Sequence, residues 1–404
     1  MDEHQNVDSM ELFKGELIGA GTYASVYAHS SGIAIKLIKH DELPTMINEL
    51  AILTACDHGN IVKLYHATIG DDDTKFHLDR YDCDLYTYGI KHGRMSVEYL
   101  LITAHDLFAG LEYLHCRGFV HCDVRAKNVL VRTAPFSAAL CDFGISCLAA
   151  ERFKNSNVYT VTYRPPEIDF HSQYIQYGSS SDMWAAGITL LETIQNKPKY
   201  GKLIALSICN DSSIYACDLF GIKYDTNSSR ASRLEILKTV QPNQIQNTIT
   251  DVVNKIGGEY AANLLKSNFI DVLTRCLQPQ SVKRISAGDA RLAMCALTGK
   301  IHTHLDIDPA YSITDISSDE AQCLVNIPFC ILKHCTSEVR WLAEKLYTES
   351  DVKTEITKYA ALYIAFSMFV VGGRALDKIY SEYTHSTIHG AVYDMIRARN
   401  YKIF

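Results

Sequence analysis

Apolar and polar residues alternate from Leu12 to Tyr27 and again from Gly32 to Ile38, and this period of two predicts strands around glycine-rich turns. Pro44 then opens a helix. From Ser96 onward the spacing changes to three and four, so that Leu100, Leu101, Ala104, Leu107, Phe108, Leu111 and Leu114 form one broad apolar helix face. A small β-rich lobe, residues 12–78, is therefore expected before a larger helical one, residues 82–297. Residues 298–316 read as a polar linker. Ser317 and Glu320 then have the spacing of a capping box at a new helix start. Beyond it Val352, Ile356, Tyr359, Ala360 and Tyr363, then Ile388, Val392, Met395 and Ile396, recur three and four apart. Residues 317–404 are expected to be all-helical. The run Tyr359 to Gly373 falls short of the ~20 residues of a membrane span, so a buried helix is expected there.

The chain has 404 residues, 47% hydrophobic and 21% charged, a globular balance that excludes disorder and fibrous repeats. Lys+Arg 39 against Asp+Glu 46 gives a net charge of -7, so no chain-wide attraction to nucleic acid or to an anionic membrane is expected. The 13 cysteines are odd in number and contain no CxxC pair, which argues against a disulfide framework and a zinc ribbon. The expected setting is a reducing, intracellular one: cytoplasm or nucleus, or the host cell for a virus-encoded chain. The start MDEHQNVDSM lacks the basic and apolar regions of a secretory signal, so export is not expected.

Candidate chemistry begins at GAGTYASVY, Gly19 to Tyr27, where small residues let backbone N–H groups approach phosphate oxygens. Alone, it reads equally well as an ordinary hairpin. Lys36 ends the strand-like IAIK and Glu49 follows in the helix, a cation for phosphates and a carboxylate to fix it. A lone Lys–Glu pair is usually a surface salt bridge. HCDVRAKN then places Asp123 and Asn128 in one loop, and CDFG places Asp142 beyond a short hairpin. One carboxylate near an acceptor hydroxyl, with an amide and a second carboxylate on Mg²⁺, is what phosphoryl transfer requires. With TYRPPE at Thr162 to Glu167 and SDMW at Ser181 to Trp184 following in order, coincidence is implausible.

Over residues 12 to 295 the chain resembles the eukaryotic protein kinase family, and within it the cyclin-dependent kinase group, on LIGAGTYASVY, PTMINELAIL and HGNIVKLYHA. The resemblance implies an α+β bilobal protein kinase fold with an appended all-helical C-terminal domain. It also implies serine/threonine protein kinase activity with ATP and Mg²⁺. Ile18, Gly19, Ala20, Gly21, Thr22, Tyr23, Ala24, Ser25 and Val26 would cover the nucleotide, with Lys36 on its phosphates and Glu49 pairing that lysine. Leu78 would be the gatekeeper, Asp79 to Tyr81 the adenine hinge, and Asp84 a ribose contact. Asp123 looks like the catalytic base, Asn128 and Asp142 like the Mg²⁺ ligands, Arg125 like the loop cation beside the γ-phosphate, and Thr160 like the threonine that braces the loop. Glu167 with Arg284, and Asp182, resemble structural anchors of the large lobe.

The sequence also departs from that pattern. Ala24 replaces the third glycine of the loop, and Arg125 replaces a lysine, a planar fork for a point charge. The three arginines that would gather around a phosphothreonine read Asn48, Cys122 and Cys147, and the phosphothreonine position reads Asn155. The expectation is a kinase whose segment Asp142 to Glu167 is ordered without phosphorylation. The alternative is a weak or inactive pseudokinase acting as a nucleotide-binding scaffold. The implied partners are protein substrates and a cyclin-like activator, reached through the Pro44 to Leu53 helix or supplied in cis by the C-terminal helices.

Overall fold

The structure, a computed structural model, describes residues 15–20, 24–29, 32–39, 43–69, 73–148, 152–154, 161–168, 174–196, 211–225 and 227–298. The expected linker and C-terminal helices, the Tyr359 to Gly373 run, Gly21 to Tyr23, Asn155 and Thr160 lie outside the described residues.

The β-rich lobe is an antiparallel sheet of β1 (Leu17–Ala20), β2 (Ala24–Ala28), β3 (Ile33–Lys39), β4 (Leu64–Ile69) and β5 (Asp73–Asp79), in the order β1-β2-β3-β5-β4. In β5 the alternation DTKFHLD buries every second residue, Thr74, Phe76 and Leu78. Between β3 and β4 runs α1 (Leu43–Ala55), with Pro44 in its first turn, where a missing N–H breaks no helical bond. Met46, Leu50, Ile52 and Leu53 of α1 are buried in the same hydrophobic cluster as Ile38 and Phe76 of the sheet.

The helical lobe begins with β6 (Cys83–Asp84), α2 (Leu85–His92) and α3 (Val97–Cys116), the last capped by Ser96, whose hydroxyl accepts from Tyr99 N–H at 3.1 Å. Of the seven apolar positions read from the sequence, six are fully buried, and Leu101 packs against the cluster from its edge. After β7 (Phe119–Val120) come the hairpin β8 (Val129–Thr133) and β9 (Phe136–Leu140), then β10 (Cys147–Leu148), β11 (Arg152–Lys154) and β12 (Tyr174–Gln176). Next follow α4 (Ser179–Gln195), α5 (Ser212–Leu219), α6 (Arg230–Lys238), α7 (Pro242–Asn254), α8 (Gly258–Lys266), α9 (Phe269–Cys276) and α10 (Ala287–Thr298). Residues 198–265 matched nothing in the sequence reading. Where they are described, they form α5 to α8, with Asp211 and Ser229 as side-chain caps of α5 and α6.

α4 is buried along nearly its whole length, with Trp184 fully enclosed. Each such apolar side chain contributes about 1.5–3 kcal/mol. Gly110 of α3 lets this core meet the chain entering β4, because a Cβ there would stand 2.6 Å from the Asn60 carbonyl oxygen. That carbonyl accepts from Leu140 N–H at 2.9 Å, and the Leu140 carbonyl accepts from Val62 N–H at 2.9 Å. These two bonds set the end of β9, and so Asp142, beside the β-rich lobe.

Candidate active site

Lys36, central in β3, is paired in register with Val26 on one side and Phe76 on the other. Its ammonium lies 2.7 Å from both carboxylate oxygens of Glu49 on α1 and 3.0 Å from Asp142 Oδ1. Three elements thus converge on one nitrogen. Burial alone would lower the Lys36 pKa, but the two carboxylates outweigh it and hold it above the ordinary lysine value. Burial raises the Glu49 carboxyl, with Lys36 opposing. Burial also acts to raise Asp142, yet the Lys36 charge and hydrogen bond bring it below the ordinary aspartate value. The Asp142 side chain is 45% exposed, so one face of its carboxylate stays open to a ligand.

Asp123 and Asn128 lie in the loop between β7 and β8. The Asn128 Nδ2 group donates to Asp123 Oδ2 at 2.7 Å and to the Asp123 carbonyl at 2.8 Å. Arg125 Nε stands 2.9 Å from the same Oδ2 as an ion pair rather than an aligned hydrogen bond. Burial raises the Asp123 pKa, and the charge of Arg125 and the Asn128 hydrogen bond oppose the rise. His121 Nδ1 accepts from Asp123 N–H at 3.2 Å, so its proton sits on Nε2, which donates to the Cys141 carbonyl at 3.0 Å. One imidazole therefore spans the residues preceding Asp142 and the backbone of Asp123.

Asp182 of α4 holds this loop from below, accepting from His121 N–H at 2.7 Å, Cys122 N–H at 3.0 Å and His115 Nε2 at 2.9 Å. Those bonds support Cys122 at φ 66, a left-handed conformation that side chains other than glycine rarely take. Glu167 and Arg284 form a bidentate pair at 2.6 and 2.7 Å that anchors the end of the segment begun by Asp142.

The positions read as lost arginines meet around one turn. The Asn48 amide donates to the carbonyls of Phe143, Gly144 and Ser146 at 3.1, 3.0 and 2.8 Å. Cys122 and Cys147 touch through their sulfurs. In sequence, Asn48 registers only as the absence of an arginine. A small amide in an otherwise apolar helix face was the signal that it caps carbonyls of its own.

Of the residues expected to cover the nucleotide, Ile18, Gly19 and Ala20 lie on β1 and Ala24, Ser25 and Val26 on β2. At the lobe junction Asp79 pairs with Arg132 at 2.5 Å, and the Arg132 guanidinium lies 4.2 Å from the Tyr81 ring centre. Asp84 is the cap of α2, its two oxygens accepting from Thr87 N–H at 2.7 Å and the Thr87 hydroxyl at 2.8 Å. A shallow cleft lies beside Ala126 of the loop, walled by Tyr86, Tyr88 and Met95. On its α4 side the Tyr163 hydroxyl donates to Glu192 at 2.6 Å.

The donor set suits Mg²⁺. Asn128 commits its Nδ2 to Asp123, which leaves Oδ1 as its ligating atom, and Asp142 presents a half-exposed carboxylate. Among the described residues no group of three or more His, Cys, Asp or Glu is placed to hold a metal ion.

An ammonium held between two carboxylates and a hydrogen-bonded Asp–Asn pair in the neighbouring loop thus lie together on a bilobal fold. The protein kinase domain family matches residues 13–293. The chain is 30% identical over 301 residues to cyclin-dependent kinase E-1 of Arabidopsis thaliana, covering 68% of this chain and 63% of that protein. It is 27% identical over 310 residues to cyclin-dependent kinase C-3 of Oryza sativa subsp. japonica, covering 70% and 90%. With the serine/threonine-protein kinase hippo of Drosophila melanogaster it shares 29% over 196 residues, 46% of this chain and 29% of that protein. The chain thus spans less than two thirds of the length of two of these relatives. It belongs to the eukaryotic protein kinase family and lies close to the cyclin-dependent kinases. Among the described residues no helix is long and apolar enough to cross a membrane.

Proposed function

We propose that this protein kinase uses ATP and Mg²⁺ to phosphorylate serine and threonine hydroxyls of protein substrates, and that it does so without phosphorylation of its activation segment. The observation that carries the reading is the joint engagement of Lys36 by Glu49 and Asp142, since it sets helix, sheet and Asp142 in one arrangement. Bound Mg²⁺–ATP would supply the phosphoryl group and neutralise its charge. The chain's own work is positioning and electrostatics. Lys36 binds phosphate oxygens and Glu49 fixes Lys36. Asn128 Oδ1 and Asp142 present oxygens to the metal. Asp123, its Oδ2 held by Asn128 and Arg125, orients the acceptor hydroxyl and takes its proton, and Arg125 offers a guanidinium beside the transferred group. Ile18 to Val26 cover the nucleotide, Asp79 to Tyr81 hold its base, Asp84 lies by its ribose, and Thr160 braces the loop.

Order without phosphate is supported by the Asn48 amide, which ties α1 to the turn after Asp142 through three neutral acceptors and needs no anion. The partners we propose are protein substrates and a cyclin-like activator on the Pro44 to Leu53 helix or in cis through residues 317–404, inside a cell. The test is phosphoryl transfer from labelled ATP to generic Ser/Thr substrates, comparing the full chain with Lys36→Met and Asp123→Asn before and after phosphatase treatment. Mg²⁺-dependent turnover that survives phosphatase and vanishes in both variants is the expected result. Nucleotide binding without turnover, with or without an added cyclin, would leave the scaffold reading in its place.

A further inference from the structure

Cys122, two residues past β7, and Cys147 of β10 lie with their sulfurs 3.3 Å apart beside the β7–β10 ladder. A covalent S–S bond is about 2.0 Å, so closure asks for roughly 1.3 Å of approach. The backbones on both sides are already fixed. Cys147 pairs in register with Val120, Cys122 N–H is held by Asp182 at 3.0 Å, and the Ser146 hydroxyl donates to the His121 carbonyl at 2.9 Å. Both side chains are buried, at 0% and 2% exposure, so a second protein does not reach them and small molecules, peroxide or a thiol, do so through local opening.

We infer that Cys122 and Cys147 are a modification site, a facing dithiol that closes reversibly to a disulfide when hydrogen peroxide oxidises it. One thiolate attacks peroxide, giving a sulfenic acid and releasing hydroxide, which takes up the thiol's proton as water. The second thiol then displaces the sulfenic oxygen as a second water and forms the S–S bond. The two thiols lose two electrons and two protons, and peroxide becomes two waters. Two equivalents of glutathione reverse the bond by exchange and leave as glutathione disulfide. In a reducing compartment such a bond is transient, which is the behaviour of a redox-sensing pair rather than a structural staple.

The bond would close a ring that contains Asp123, Asn128 and Asp142. Because the sulfurs are already in contact while Lys36 holds Asp142 and Asn128 holds Asp123, the remaining approach of about 1.3 Å is to be taken up by the two cysteine side chains, with these groups left in place. The disulfide form therefore keeps the catalytic arrangement and tethers the segment after Asp142 to the loop carrying the base. That consequence for activity rests on the proposed kinase function, whereas the bond itself does not.

The test treats the full chain with peroxide, denatures it, alkylates remaining thiols and maps the non-reduced digest by mass spectrometry. A peptide linking Cys122 to Cys147, lost on treatment with dithiothreitol and absent from Cys147→Ser, is expected, with a thermal midpoint several degrees higher in the oxidised wild type. Alkylation of both cysteines, or sulfinic acid at either one, with no linked peptide would overturn the inference on the wild type alone, whatever the variant's folding. Oxidised wild type should transfer phosphoryl groups within about twofold of the reduced rate. A loss of tenfold or more that dithiothreitol reverses and Cys147→Ser escapes would overturn the claim that the closed form stays active. A chain with no transfer in either state but a mapped linkage would sink the kinase reading and leave the dithiol site standing.

Discussion

The side-chain amide of Asn48 lies 3.0 Å from the carbonyl oxygen of Gly144, with the Phe143 and Ser146 carbonyls at 3.1 and 2.8 Å. Gly144 is required there, because a Cβ would stand 2.4 Å from Thr45 Cγ2 of the same helix. Asn48→Ala removes the donors of buried carbonyls at a cost of about 1–3 kcal/mol. Asn48→Asp should be worse, since it sets an anion against three acceptors. Urea denaturation and the transfer rate together measure both. An alanine variant as stable and as active as the wild type would show that the amide does not hold the turn.

Lys36 is the cation between Glu49 and Asp142, so Lys36→Met leaves Glu49 buried without its partner. We expect loss of transfer and a destabilisation of about 3–5 kcal/mol. The pH dependence has a definite sign. Without Lys36 the folded Glu49 pKa rises further above its unfolded value, so the folded state holds a proton that the unfolded state releases as pH rises between the two values. Stability of the variant should therefore fall from mildly acid to neutral pH. Adding Glu49→Gln should restore much of it without restoring activity. Equal stability of the single and double variants at neutral pH would contradict this account.

Asp123 is held above the ordinary aspartate pKa by burial, against the charge of Arg125 and the Asn128 hydrogen bond. A base must be ionised, so kcat/KM should fall as pH drops through that raised value. Arg125→Leu removes an opposing charge and should move the acid limb to higher pH. A mere packing role for Arg125 would lower the rate without moving the limb. The pH profile of the two proteins separates the outcomes.

The sequence made the lobes and most of the site legible because their signals are local. Period two pointed to β1, β2 and β3, period three and four to α3, and motif order to the candidate residues Lys36, Glu49, Asp123, Asn128 and Asp142. What it missed is non-local. Asn48 meets residues about a hundred positions away, and Tyr163 meets Glu192 only once α4 is packed. Asp84 was read for a ribose, whereas its shorter-range job, capping α2 through Thr87, follows from Asp at a helix start. Residues 198–265 offered no motif, and α5 to α8 are set there by caps and by burial of Ile245, Ile249 and Leu264 rather than by chemistry.

Asp182 gives the sharpest stability prediction, since its fully buried carboxylate serves two backbone amides and one imidazole. Burial acts to raise its pKa, yet the His115 hydrogen bond and charge, with the amides, bring it below the ordinary value. A depressed folded pKa means stability that is present above the unfolded value, near 3.9, and lost as pH falls through the folded one. Asp182→Asn exchanges an acceptor that takes all three bonds for an amide whose nitrogen faces a donor, and should cost about 3 kcal/mol at neutral pH. The gap from wild type should narrow below about pH 4, where the unfolded carboxylate takes up a proton that the folded one still resists. Because the same bonds support Cys122 in its left-handed conformation next to Asp123, kcat should fall more than KM rises. Denaturation at several pH values with steady-state kinetics reads both effects. A stability gap that stayed constant down to acid pH would mean that the charge of Asp182 is not what holds the loop.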